Sequence, residues 1–521
     1  MLLVLFITFL ALFVHFWRRS SCKPPNFPPG PPRYPIVGSA PFMKPNNSSK
    51  PSIFWAICKF AREYGSIFGF YLGQYKTVVL TDYEDIKEVL NKDEASHRPP
   101  ITGHKLRPGW ESAADVDPEL NKHQPPGVIF SNGKFWKEQR RYILRNLRDF
   151  GFGKASMEET LHEEVQKLID HLNQYNGQAL NLNRATNVSI LNALWNILVG
   201  EKLELGDPRL AELLQVVDDL VRLGGGPVSP IAAILPHKDM VYWPLIKDVV
   251  GIKYPEKAIN AMRDFILPYV KAHKASVDAD NVRDFMDLFL LEIQKSTDPT
   301  SSFYGKNGDN ALINDMIDLF IAGMETTTSS LLWSILYLLH FPECQAKIHE
   351  EIDRLVGYDH LPSLSDQADL HYTNAFLSES LRFTSFAPMA IFHYTSKDIP
   401  LKGYTIPKNS ILISSLYHVL YDATHFEEPE VFNPSRFLDS NGKFMPDERV
   451  VAFGIGKRIC LGKSLAEKEY FLFFAGLMQH FCVKKVPGVE LPSIGVEDTL
   501  ISGFLRAAPL FETIIEARRM E

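Results

Sequence analysis

Cysteine is scarce in this 521-residue chain, and the five present (Cys22, Cys58, Cys344, Cys460 and Cys482) form no CxxC pair and no cysteine–histidine cluster of zinc spacing. That argues against a disulfide framework and fits a reducing compartment. Excess charge of one sign is lacking too. The 55 basic and 62 acidic residues leave a net charge of -7, which argues against a protein that binds nucleic acid by neutralising phosphates. The body of the chain holds no internal repeat and no low-complexity stretch. With 45% hydrophobic and 22% charged residues the chain can bury a large core. Length alone would allow about three domains, but no second linker divides the sequence, so one large body is expected.

Charge is also absent from Met1 to Trp17, after which Arg18, Arg19 and Lys23 follow. As a helix, this run spans about 26 Å at about 1.5 Å per residue, the short end of what crosses a hydrocarbon core of about 30 Å. A cleaved signal peptide would carry its basic residues before the apolar run and a small-residue cleavage site after it, and neither is present. Residues 1–19 are therefore expected to be a membrane anchor. The prolines between Pro24 and Pro35 place a stiff hinge at 20–37, and 38–521 form the body. Basic residues after the span put that body on the cytosolic side, so the sequon at Asn187 should stay unmodified.

Period-two segments at Ser66–Leu72 and Thr77–Leu80 predict strands. Helical patterns dominate the rest: Lys134–Asp149, Ser156–Tyr175, Asp284–Ser296, Ala311–Leu339, Cys344–Val356, Ala375–Phe383 and Leu461–Phe481. The expected fold class is mainly α with a minor β portion. The Ala311–Leu339 helix would be roughly 44 Å long, and Asn314, Asp315, Asp318 and Glu325 keep it from being a second membrane span.

The segment Phe453-Gly454-Ile455-Gly456-Lys457-Arg458-Ile459-Cys460-Leu461-Gly462 runs into an amphipathic helix. Gly456 and Gly462 would let a flat ligand approach the backbone, while a helix N-terminus and the Arg458 cation would favour a thiolate at Cys460. This spacing, F-x-x-G-x-R-x-C-x-G, resembles the haem-binding signature of the cytochrome P450 family at every specified position. The resemblance implies the family's fold, a single haem domain behind the anchor, with Cys460 as axial ligand of the iron of haem b.

Other segments resemble the same family. Ala322-Gly323-Met324-Glu325-Thr326-Thr327 is similar to its oxygen-activation motif, implying a local helix distortion and proton delivery by Thr326 and Glu325. Glu379-Ser380-Leu381-Arg382, with Arg436 downstream, resembles the ExxR motif and implies a structural triad. Trp136 and Arg140, four apart on one helix face, would hold a haem propionate, as would Arg458 and His393. Phe453 belongs to the same cofactor loop. The proline run Pro28–Pro32, Phe130–Lys134 and Leu147–Lys154 point to the microsomal, family-2-like branch. Glu325 stands where many members have aspartate, and Ser435 where many have glutamate.

The resemblance implies a monooxygenase that inserts one atom of dioxygen into a lipophilic small molecule. No flavin or nicotinamide fingerprint is present, so electrons from NADPH would come through a separate flavoprotein reductase, with cytochrome b5 a further partner, at the endoplasmic reticulum membrane. Lys134, Lys137, Arg141, Arg145 and Arg148, with Lys457, Lys463 and Lys468, form a basic face suited to an acidic redox partner. The substrate pocket would draw on Ile101–Val128, Gly224–Trp243, Phe320, Ala322, Phe386–Ile391 and Ile501–Phe504. The alternatives are a haem-thiolate isomerase or dehydratase that needs no reductase, and a membrane-anchored haem-binding protein without turnover.

Overall fold

The computed structural model describes residues 21–43, 53–100, 104–109, 126–149, 155–223, 235, 238–499 and 505–518. The expected anchor at 1–19, and most of the segments expected to shape the substrate pocket, lie outside these residues. Among the described residues, no helix is long and apolar enough to cross a membrane.

One-turn helices apart, the helical portion comprises α1 (Ile53–Tyr64), α2 (Tyr83–Leu90), α3 (Gly133–Asp149), α4 (Ala155–Asn173), α5 (Asn183–Val199), α6 (Pro208–Leu223), α7 (Lys253–Ser276), α8 (Phe285–Lys295), α9 (Gly305–His340), α10 (Pro342–Leu355), α11 (His371–Thr384) and α12 (Lys463–His480). The seven expected helices are all present, most with ends moved by one to four residues. The exception is α9, which starts six residues before Ala311 because the polar run Gly305–Asn310 carries no apolar stripe to read. Helix α9 has 36 residues, about 54 Å at ~1.5 Å per residue, and is buried along most of its length. It ends at His340, and Pro342 opens α10, where its missing N–H costs nothing.

Helices α1, α2, α5, α6 and α7 had no counterpart among the expected helices. Helix α5 is buried on every side, from Ala185 to Trp195 without a break, so it shows no amphipathic stripe. Helix α7 carries Pro268 inside it, which in sequence reads as a stop. Helix α5 also accounts for Asn187: the side chain is 3% exposed and bonds to Asn183, so the sequon is buried whatever its compartment.

The β portion is small. β1 (Ile67–Leu72) pairs antiparallel with β2 (Tyr75–Leu80), β2 runs parallel to β7 (Ser410–Ser414), and β4 (His393–Tyr394) closes that sheet in the order β1-β2-β7-β4. β3 (Ala179–Leu180), β9 (Thr513–Ala517) and β8 (Phe481–Lys484) form a second sheet, and β5 (Ile399–Leu401) with β6 (Tyr404–Ile406) a two-stranded ribbon. The largest core is helical and centred on α9, α5 and α12, with smaller cores beneath the first sheet.

Candidate active site

The loop before α12 carries Cys460. Its backbone N–H donates to Phe453 O at 2.9 Å, closing the loop on itself. The Cys460 side chain is open rather than covered by neighbours. A Cβ added at Gly454 or Gly462 would meet no atom within 4 Å, so the loop presents a bare backbone face. Gly456 differs from the expectation: with φ at +76°, an added Cβ would lie 2.3 Å from Leu90 O. Its role is to seat the loop against the end of α2, and the open position is Gly462.

The cation beside the sulfur also differs from the expectation. Arg458 points away: Nε donates to Ser96 O at 2.8 Å and Nη2 to Ser131 O at 2.6 Å. Arg140 is the near one, donating through Nη2 to Ile459 O at 2.6 Å. Although its surface is open, protein surrounds the sulfur on most sides, and that desolvation pushes the Cys460 thiol pKa up; the Gly462 amide, Arg140 and Lys463 oppose that shift. A helix N-terminus and cations alone do not make this thiol a thiolate.

Arg458 belongs instead to a buried positive cluster. Its guanidinium lies 3.7 Å from the centroid of the Trp136 ring. Arg98 Nη1 donates to Ile391 O at 2.6 Å and Phe392 O at 3.0 Å. Burial and the charges of Arg98 and Arg140 hold the Arg458 pKa well below its usual value, and burial with Arg140 pushes Arg98 down to about 9. His393 donates Nδ1–H to Ala95 O at 2.7 Å, and burial with Arg98 and Arg458 keeps the ring neutral. Its Nε2 can serve an anion only after taking up a proton. The expected Trp136, Arg140, His393 and Arg458 therefore converge, and sequence reading missed Arg98. Guanidiniums packed against like charge, with carbonyl oxygens for partners, are a poor arrangement alone and a good one around a dianion.

One face of α9 is open at its middle turns. Ala322 is exposed and Thr326 half-buried, although Phe320 and Met324 beside them are fully buried. Phe320 packs edge-on against Trp195 at 5.7 Å and serves the core, contrary to the expectation that it lines a pocket. The helix runs unbroken through Gly323, where a Cβ would lie 2.4 Å from Leu194 Cδ2. The glycine lets α5 approach, which is a packing reason in place of the expected distortion. Thr326 Oγ1 donates to Ala322 O at 2.7 Å. Glu325 turns toward α6, 3% exposed, with Oε2 unpartnered. Burial and then the Asp218 charge push its carboxyl up to about 8 against Arg222.

Glu379, Arg382 and Arg436 meet below. Arg382 grips Glu379 with two bonds of 2.7 and 2.9 Å, Arg436 Nε adds a third at 3.1 Å, and Glu379 and Arg382 are fully buried.

A family model described as cytochrome P450 matches residues 28–513. The chain belongs to the cytochrome P450 family. It is 32% identical to cytochrome P450 2L1 of Panulirus argus over 90% of this chain and 91% of that protein. It is 33% identical to cytochrome P450 18a1 of Drosophila melanogaster over 95% and 88% of the two chains. With cytochrome P450 2C25 of Mesocricetus auratus it shares 33% over 93% of both. As a cytochrome P450 it is a haem-thiolate monooxygenase, an oxidoreductase whose family uses haem b and dioxygen. The open thiol, the bare glycine face and the buried cations fit that cofactor: a sulfur for iron, a flat approach for the ring and positive charge for its carboxylates.

The basic face is more neutralised than expected. Lys134 pairs with Glu138 and Asp298, Lys137 and Lys457 both pair with Asp93, and Lys463 with Glu467. Among the described residues, Arg141, Arg145 and Arg148 have no carboxylate within ion-pair distance and are exposed.

Proposed function

We propose that this cytochrome P450 hydroxylates or epoxidises a lipophilic small molecule, taking electrons from NADPH through a separate flavoprotein reductase, with cytochrome b5 as a second donor. One oxygen atom enters the substrate, and the other leaves as water with two protons and two electrons. Haem b, bound through Cys460, would supply dioxygen activation, the thiolate favouring O–O cleavage.

The protein's own residues do the rest. Arg140, Arg458 and Arg98 neutralise the carboxylates of the cofactor, Trp136 helps to hold them and His393 joins once it takes up a proton, while Phe453, Gly456 and Gly462 shape the loop that receives it. Glu325, with its pKa near 8, keeps a proton at neutral pH on an otherwise unpartnered oxygen. Thr326 Oγ1, anchored on Ala322 O, passes a proton across the open face of α9. Glu379, Arg382 and Arg436 fix the scaffold. The reductase docks on Arg141, Arg145 and Arg148.

The anchor at 1–19 holds the body at the endoplasmic reticulum membrane. Trp243, Leu245 and Val249, which are 55%, 90% and 64% exposed, give an apolar patch for the bilayer to cover. Residues 20–37 act as the hinge and 38–521 as the catalytic body.

The observation that carries this reading is the open thiol of Cys460 in its signature loop beside a buried cationic cluster. The reduced carbon monoxide complex should show the thiolate spectrum in the wild type and lose it in Cys460→Ala. With reductase and NADPH, product formation should track NADPH consumption. Turnover of a peroxide without reductase would favour the isomerase reading, and haem binding without turnover the carrier.

A further inference from the structure

A second polar site lies far in sequence from Cys460, where the hinge folds back on the first sheet. A cavity of about 400 Å³ is lined by Cys22, Lys23, Pro24, Arg33, Tyr71, Gln74 and Lys76. Its three cations are held by neutral groups. Lys23 Nζ donates to Gly30 O at 2.8 Å, Arg33 Nη1 to Cys22 O at 3.2 Å and Lys76 Nζ to Lys408 O at 2.6 Å. The Arg33 guanidinium lies 4.0 Å from the centroid of the Tyr71 ring. Among the described residues, no carboxylate comes within ion-pair distance of the three. The charge of Asp398 acts on Lys76, opposing burial, which is the larger effect, and Arg33. Elsewhere lysines are commonly paired, as Lys87 is with Glu448 and Lys92 with Glu88.

Beside this cavity is an independent oddity. The chain turns between Tyr34 and Gly38, each N–H donating to the other's carbonyl at 2.8 and 3.0 Å. At the tip Ile36 has φ of +68°, a left-handed conformation that a β-branched residue adopts only at a cost. The turn leaves its side chain 61% exposed and Tyr34, beside it, 37% exposed. A strained aliphatic residue and a tyrosine at the surface next to a basic cavity are the two halves of an interfacial membrane contact, apolar insertion and headgroup capture.

We propose that the Lys23–Arg33–Lys76 cavity binds the phosphate of an anionic glycerophospholipid while Ile36 and Tyr34 enter the bilayer surface, fixing how the body sits on the membrane. The proposal rests on reading Met1–Trp17 as the anchor: Cys22 is five residues beyond Trp17, at most about 18 Å of extended chain, which keeps the cavity within reach of the headgroups.

The test uses the full-length haem protein in phosphatidylcholine nanodiscs containing spin-labelled phosphatidylserine or spin-labelled phosphatidylcholine, and reads the ratio in which the two lipids are held at the protein. The wild type should prefer phosphatidylserine. Each of Lys23→Gln, Arg33→Gln and Lys76→Gln should lower that ratio by up to about five-fold at low salt. Lys23→Arg and Lys76→Arg should keep it, with melting temperatures confirming that the variants fold. Ile36→Gly should melt higher, because it relieves the left-handed residue, and yet hold lipid less well.

An unchanged ratio in the three neutral variants overturns the proposal. So does abolition of the preference by inorganic phosphate, which would make the cavity a site for free phosphate. A loss of reductase affinity in place of lipid selectivity would make it a protein-docking site and also overturn it. Resistance to alkaline extraction from pure phosphatidylcholine vesicles tests the anchor separately, so failure of that reading is distinguishable.

Discussion

Arg458 sits over the indole of Trp136, its guanidinium carbon 3.7 Å from the ring centroid. The sequence places both residues among those that would contact the cofactor's carboxylates, without showing that they touch each other. The ring shields the cation from water, while Ser96 O and Ser131 O take two of its N–H groups.

Trp136→Leu therefore removes a cation–π contact worth about 1–2 kcal/mol at a buried position and frees Arg458 to turn. Haem should be lost more readily, its rate of transfer to apomyoglobin rising about ten-fold, whereas Trp136→Phe keeps a ring and should lose less. Equal losses in the two variants would show that ring stacking is not what holds Arg458.

Asp93 pairs with both Lys137 and Lys457, so the face proposed for the reductase carries its own competitor. Asp93→Asn should free two cations and lower the reductase concentration needed for half-maximal turnover at low salt, by about two- to five-fold for exposed charges. Arg141→Glu should raise it, and salt should shrink both effects. A reductase requirement unmoved by Asp93→Asn and Arg141→Glu places docking elsewhere.

Glu325 titrates near 8 because burial and Asp218 disfavour its charge. If its proton is used, turnover should be flat below that value and fall as pH rises through it, since the donor form is then lost. Glu325→Gln should abolish this limb and reduce turnover by about 10²-fold, the scale of a general acid. Asp218→Asn removes a like charge and should move the limb downward. A pH profile the same in all three proteins would exclude Glu325 as the donor.

The long helices, the cysteine loop and the Glu379–Arg382 spacing could be read from sequence because each is written in local periodicity or in a short motif. What could not be read is set by distant packing. Arg98, in His97-Arg98-Pro99-Pro100, sits on no helix face, and only the fold brings it to Arg140 and Arg458. Gly323 looked like a functional distortion because a mid-helix glycine costs stability, yet its reason is Leu194 on another helix. Helix α5 was invisible because a helix buried all round has no stripe. The charge of the basic face was overestimated because Asp93 lies outside both segments, α3 and the cysteine loop, whose Lys137 and Lys457 it neutralises.

One ion pair outside the site gives the fold a pH dependence of its own. His273, near the end of α7, bonds Tyr269 O through Nδ1 at 2.9 Å and Asp284, the N-cap of α8, through Nε2 at 2.8 Å. The bond to Asp284 raises the His273 pKa, with burial and then Arg283 opposing; Arg283 itself pairs with Asp287. The folded state thus binds this proton more tightly than the unfolded chain. Its contribution is fully present below about 6.5, the ordinary histidine value, and is lost as pH rises through the raised folded value. His273→Gln should cost about 1–3 kcal/mol at pH 6, the worth of a buried hydrogen bond to a charged group, and less at pH 9. Denaturant unfolding at the two pH values measures this. A loss equal at both would mean that the pair contributes as a neutral hydrogen bond, and a larger loss at pH 9 would contradict the sign derived from its partners.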